Sequence, residues 1–359
     1  MKPPFLLSIV AFLFSLTAVH AQGIDSLRLI DVYSVGFGKY IGASPVGGLS
    51  GIDYVPEEDR YYVICDDRSE FGPARFYKVL IRFDEKRIDT VCFEQVFTLK
   101  TPEGTDYPLF SIDPEAIRYV PSQKTLLYTS EGDRNKGVQP FFREMTSEGF
   151  FLREIPLPKN FAFFPQSGLR HNGALESISL AKDTSALWII NEEPLMEDGP
   201  RAQVQETQSP LRLTLMDYSS GKIRKQYAYM LGPLFTEPAS ERDFRVNSVP
   251  EILAISDSEL LIIERAFIAN KGNHVRVLAV STEGATDIQA IDSLIGAEYV
   301  PVKRKELFNF SGFGLLPDNI EGISFGPTLP NGHRTLVFIS DDNFSESQTT
   351  QFWVFELFE

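Results

Sequence analysis

Four glutamates recur in one local setting. Glu115, Glu176, Glu251 and Glu321 each open a short β-rich run, and the residue two positions on is apolar: Ile117, Ile178, Leu253 and Ile323. A strand turns a residue and its second neighbour to the same side, so the four carboxylates are expected at matching places, converging at the mouth of a common channel. A second acidic set lies one strand later, at Asp66-Asp67, Glu131 with Asp133, Glu192-Glu193, Glu264 and Asp341-Asp342. Like charges gathered in one mouth are costly unless cations neutralise them or some stay protonated. Oxygen ligands alone suit a hard divalent cation, Ca²⁺ or Mg²⁺. The expected metal set is Glu115, Glu176, Glu251 and Glu321 with Asp341 and Asp342. The other acids of the second set read more simply as solvated loop residues or acceptors for backbone amides. Arg68, Arg134 and Arg265 follow the acids closely. A guanidinium binds a phosphate or a carboxylate in bidentate fashion, so Arg134 and Arg265 are candidates for substrate binding, with inter-repeat ion pairs as the structural alternative. His171, in His171-Asn172-Gly173 ahead of Glu176, is a candidate acid/base group.

These residues sit in a repeat. Five segments share a grammar: a β-rich run, a turn at Pro, Gly or Asp, and a second apolar run ending in polar and acidic residues. Aligning Ser50, Glu115, Glu176, Glu251 and Glu321 gives spacings of 65, 61, 75 and 70 residues, room for four strands with generous loops. Further strands are expected at 75–83, 90–99, 211–218, 222–230, 274–280 and 351–358. The last repeat lacks a strand and one is spare at 27–35, so the amino-terminal strand is expected to pair into the last repeat and remove a free edge. The expected fold is an all-β, five-bladed β-propeller of four-stranded blades. A sixth blade has room in 135–170 or 284–318, and a two-sheet sandwich is the competing architecture. Lys303-Arg304-Lys305 reads as a solvated loop.

Composition narrows the function. With 34 Lys+Arg against 49 Asp+Glu the net charge is −15, which argues against nucleic acid and against a polybasic membrane contact. There is no G-x-S-x-G, P-loop, G-x-G-x-x-G or H-E-x-x-H motif. Cys65 and Cys92 fall on strands separated by a third, roughly 9–10 Å apart and beyond disulfide reach, so two buried free thiols are expected. Residues 1–21 read as a cleaved secretory signal peptide: Lys2, an apolar run over 5–16, and Val19 and Ala21 as small residues before the cleavage point. No cysteine for lipid attachment lies near that point. A secreted or periplasmic single domain over 22–359 is expected, monomeric and without an integral membrane segment.

The segment Asn319-Ile320-Glu321-Gly322-Ile323-Ser324-Phe325, followed by His333-Arg334-Thr335 and Ser340-Asp341-Asp342-Asn343-Phe344, resembles the phytase-like family, described as having esterase-like activity of phytase. Gly47-Gly48-Leu49-Ser50-Gly51, Asp113-Pro114-Glu115-Ala116-Ile117, Ser130-Glu131-Gly132, Asn172-Gly173-Ala174-Leu175-Glu176 and Glu264-Arg265 carry the same likeness, which spans about residues 46–358. The resemblance implies a secreted or periplasmic propeller that hydrolyses small phosphorylated or ester substrates. Ser50 departs from it, standing where the other repeats carry glutamate. A calcium-dependent lactonase or esterase is a sister reading. A non-catalytic binding module is the reading from another class, with Phe141-Phe142 and the aromatics of 161–164 holding a glycan or protein partner.

Overall fold

The computed structural model describes residue 24, residues 26–314 and residues 316–358. The expected signal peptide at 1–21 lies outside the described residues. Five four-stranded antiparallel sheets form the ring. Blade 1 comprises Leu49–Val55, Arg60–Cys65, Arg75–Phe83 and Ile88–Thr98. Blade 2 comprises Pro114–Val120, Thr125–Ser130, Phe141–Met145 and Phe151–Glu154. Blade 3 comprises Ser177–Leu180, Ala186–Ile190, Pro210–Asp217 and Ile223–Met230. Blade 4 comprises Arg245–Ala254, Glu259–Ile268, Gly272–Ser281 and Lys303–Asn309. Blade 5 comprises Asn319–Gly326, Thr335–Asp341, Thr350–Phe358 and the amino-terminal Ser26–Val35. Ser26 pairs with Phe358 and Val35 with Thr350, so the two ends of the described chain close the last blade as the spare strand requires.

The stretches with room for a sixth blade complete the existing ones. The outer strands of blade 2 come from 135–170, and the outer strand of blade 4 from 284–318. Lys303-Arg304-Lys305 therefore begins a strand and is no loop. Arg304 turns inward to Glu264 at 2.9 Å while Lys303 and Lys305 stay exposed, as alternation dictates. The only helical turns among the described residues are the short Arg134–Lys136 and Phe310–Phe313. No helix among them is long and apolar enough to cross a membrane.

The first strand of each blade packs against the first strands of its neighbours, so these strands line the axis. Each blade buries both faces, and the core consists of layers between consecutive blades: Ile52, Val63, Ile339 and Phe352 between blades 5 and 1, for example, and Ile178, Leu187, Leu127 and Phe142 between blades 2 and 3. Phe141, Phe142 and Phe161 are buried, so these aromatics pack the core and are not presented to a partner. In the expected glycan-binding runs only Phe164 is exposed.

Both cysteines are free, but only Cys65 is buried. Cys92 lies on the outermost strand of blade 1, where Val91 and Phe93 face inward and the intervening residue faces solvent. A thiol reagent is expected to modify Cys92 in the native protein and Cys65 only after denaturation. Two equally protected thiols would contradict this exposure.

The axis is closed by a side chain. Arg118, on the first strand of blade 2, is buried and donates to the carbonyl oxygens of Ile52 (2.7 Å), Ile117 (2.8 Å), Ile252 (3.2 Å) and Ile323 (3.2 Å), which belong to blades 1, 2, 4 and 5. It also pairs with Glu251 at 2.6 Å.

Candidate functional site

One face of the ring opens into a cavity of about 970 Å³. Its floor is built by strand register. In blade 1 the Asp66 amide donates to Gly48, and Ser50 follows two residues later in a β-bulge. The same relation links Glu131 with Asp113 and Glu115, and Glu192 with Ala174 and Glu176. In blade 5 Asp341 pairs with Asn319, and Glu321 lies in the bulge. Two concentric positions per blade thus carry side chains to the mouth: Ser50, Glu115, Glu176 and Glu321 from first strands, and Asp66, Glu131, Glu192 and Asp341 from the ends of second strands.

Blade 4 departs by one residue. Glu251 pairs with Ile263, two before Arg265, as Gly51 pairs with Ile64, two before Asp66. Glu251 therefore stands where Gly51 does, and Pro250 takes the position of the glutamates. A one-residue offset sends a strand side chain to the other side, and Glu251 turns to Arg118 on the axis, away from the cavity. The same register puts Arg265 where the other blades carry a carboxylate. Its guanidinium contacts Glu321 and Asn319 and lies 3.4 Å from Glu192, a cation built into the acidic ring. Glu264, grouped in sequence with the second-strand acids, is buried within the blade against Tyr229, Arg276 and Arg304.

The acids cluster in blades 2 and 3, beside the blade that carries Arg265. Asp113, Glu115 and Glu131 present oxygens within 4.8 Å of one another, and so do Glu131, Glu176 and Glu192. Ser50, where the repeat departs from glutamate, lies 2.6 Å from Glu115 Oε2 and serves as its donor. Glu131 Oε1 accepts from the amides of Gly173 (2.6 Å) and Ala174 (2.8 Å), tying blade 2 to blade 3 with one oxygen. Arg68 pairs with Asp113 at 2.6 Å and Arg201 with Glu193 at 2.8 Å, both partly exposed at the cavity wall. Burial, reinforced by neighbouring carboxylates, pushes Asp66, Glu115, Glu131 and Glu176 well above the ordinary carboxylate range. Asp113 is pushed up to about 7, burial outweighing the pull of Arg68. Carboxylates outnumber guanidiniums here, and the groups are held where ionisation is costly without further positive charge.

The remaining expected residues divide as follows. His171 lines the cavity, with Nδ1 3.9 Å from Asp133. Asp341 is buried behind Glu321, where it accepts from Asn343 N at 2.8 Å. Asp342 accepts from Gly48 N, Phe344 N and Thr350 Oγ1, each at 3.1 Å, so its oxygens fasten the last loop to blade 1. Arg134 lies outside the cavity and donates to the carbonyls of Leu169 and Phe164, pinning a loop. Arg201 carries no repeat signal in the sequence. Asp113, Glu131 and Glu192 were visible as acids, but nothing local distinguished them from loop acids.

A cation fits this donor set. All donors are carboxylate oxygens, and Glu192 Oε2 is a buried oxygen without a hydrogen-bond partner among the described residues. Glu115, Glu131, Glu176 and Glu192, with Asp113 beside them, are the residues that would hold it.

Comparison with known proteins gives the following. A family model described as Phytase-like, esterase-like activity of phytase, matches residues 44–344. No curated protein matches the chain. Among solved structures the chain is similar to a GH43 β-1,3-galactosidase with galactodeoxynojirimycin, at 11% identity over 89% of this chain and 94% of that one, with a TM-score of 0.45. It is similar to a bifunctional GH43-CE protein of Bacteroides eggerthii at 12% identity and a TM-score of 0.43, covering 89% of this chain but only 34% of that protein's length. A hypothetical protein from Leishmania major aligns at 11% identity over 90% of this chain and 89% of that one, with a TM-score of 0.43.

Proposed function

The chain belongs to the phytase-like family, and on that footing we propose that it is a metal-dependent hydrolase of small phosphoesters working at the acidic mouth of the propeller. The observation that carries this reading is the pair of carboxylate triads sharing Glu131, with Arg265 beside them at 3.4 Å from Glu192. A bound Ca²⁺ or Mg²⁺ would supply a Lewis acid that polarises a phosphoryl or acyl oxygen and lowers the pKa of a bound water. The chain's own residues do the rest. Arg68 and Arg201, partly exposed at the wall, meet the anionic group of the substrate, and Arg265 from the floor steadies charge that develops on it. His171, half-exposed beside Asp133, holds or gives a proton at the leaving oxygen. Arg134 and Asp342 are left out of the site because their polar atoms are engaged elsewhere. A lactone or carboxylic ester in place of the phosphoester would use the same residues. The same reading places the protein outside the cytoplasm after removal of residues 1–21, as a monomeric single domain.

The test is hydrolysis of a small phosphomonoester before and after chelation. Activity is expected to vanish with chelator and return on adding Ca²⁺ or Mg²⁺. Turnover indifferent to chelation sinks the metal-dependent reading. No turnover of phosphoester or lactone with any divalent ion would make the protein a binding module.

A further inference from the structure

The cavity has one wall unlike the rest. In blade 1 the second strand ends at Cys65, just before Asp66, but in blade 4 the strand runs on past Arg265 to Ile268. Blade 4 therefore rises above the ring as a three-stranded wall. Phe267 is two residues beyond Arg265, on the same face and about 7 Å further out. Val246 pairs with Phe267 on one side and Asn273 pairs with it on the other. Phe244, 57% exposed, stands next along the wall with its ring 6.1 Å from that of Phe267. Phe244, Val246, Phe267 and Asn273 all line the cavity. Asn273 Oδ1 is buried and accepts no hydrogen bond from the described residues. Water covers the exposed ring at a free-energy cost, and an unmet buried acceptor calls for a donor.

We infer that this wall is the leaving-group subsite, and that it selects phosphoesters whose leaving group is a flat, largely apolar ring carrying at most one or two donors. Three apolar side chains against one amide acceptor suit such a ring, with one face on Phe267 and Phe244 and its donor on Asn273. A polyol would leave most of its hydroxyls facing hydrocarbon, which is unfavourable. The inference rests on the phosphoester reading.

The test is the affinity of the full chain, in magnesium-containing buffer, for phenyl phosphate and glucose phosphate, taken from KM where they are turned over and from calorimetric titration where they are not, and for inorganic phosphate by calorimetric titration. Phenyl phosphate is expected to bind about tenfold more tightly than inorganic phosphate, the scale of one aromatic contact with its buried area. Phe244→Ala, at an exposed position, and Phe267→Ala are each expected to bring that ratio towards one. Asn273→Leu is expected to leave the preference for phenyl phosphate in place and to abolish any extra gain from a hydroxyl on the ring. Equal affinities for phenyl and inorganic phosphate, unmoved by either Phe substitution, overturn the subsite and leave the phosphoester reading standing. Tighter binding of glucose phosphate than of phenyl phosphate overturns the choice of an apolar ring. Absence of binding by all three overturns the phosphoester reading itself, and the subsite with it.

Discussion

Arg118→Ala is expected to destabilise the fold by about 3–5 kcal/mol, a loss of roughly 5 °C in Tm for a chain of this length. The side chain joins the first strands of four blades through their carbonyl oxygens and contacts Glu251 on the axis at 2.6 Å. Truncation strands all of these groups in a narrow channel, and an unmet buried acceptor or charge costs more than the contact itself contributes. Arg118→Met combined with Glu251→Gln is expected to recover part of the loss, because it fills the space of the lost side chain and removes the buried carboxyl left without its partner. A double-mutant cycle read by denaturant unfolding gives the coupling, and additive effects would show that the pair does not hold the axis. The pH dependence has a definite sign. Burial pushes Glu251 up to about 8 against the pull of Arg118. A carboxyl raised in the folded state keeps its proton where the unfolded chain has lost it, so its favourable contribution is full below its ordinary value of 4.5 and fades as pH climbs towards 8. Glu251→Gln should therefore flatten the decline in Tm across that window. An identical slope in wild type and variant would remove Glu251 as its source.

Glu176→Gln and Glu192→Gln are each expected to weaken calcium binding roughly a thousandfold and to depress hydrolysis in parallel. A unit charge about 4 Å away in a partly buried setting is worth about 4 kcal/mol, and an amide of the same shape removes that charge with little change in packing. Glu251→Gln is the informative contrast. The four glutamates look equivalent in sequence, but Glu251 faces Arg118 and not the triads, so its calcium affinity should match that of the wild type. Calcium titration followed by calorimetry checks all three. A thousandfold loss in Glu251→Gln, or none in Glu176→Gln and Glu192→Gln, would show that the cation does not sit among the triads.

Much of this was legible in the chain. The repeat of strand, turn and strand ending in acid gives five units, because each blade needs two buried inner strands and their short apolar, β-rich runs stand out residue by residue. The spare strand at the front and the missing one at the back had a single economical solution, the pairing of Ser26–Val35 with Thr350–Phe358. The outer strands of blades 2 and 4 were harder to see. Partly exposed and flanked by long loops, they carry a weak pattern, and so 135–170 and 284–318 looked like room for another blade.

The sequence by itself determined the architecture and which residue types would crowd the mouth. Only the tertiary structure decided which of them meet. Alignment by residue identity set Glu251 beside Glu115, Glu176 and Glu321, whereas strand pairing, with an equivalent bulge in blades 1, 4 and 5, sets it one residue later, at the position of Gly51 and Gly322, and in a strand one residue is the difference between facing the cavity and facing the axis. The same shift brings Arg265 into the acidic ring. Glu131 and Glu192 gained their place from convergence across blades, a distance that no local spacing encodes. The net charge of −15 is a property of the chain. The concentration of buried carboxylates around Glu131 is a property of the ring, because packing blade 3 against blade 2 brings Glu131 to Glu176 and Glu192, which lie 45 and 61 residues further along the sequence.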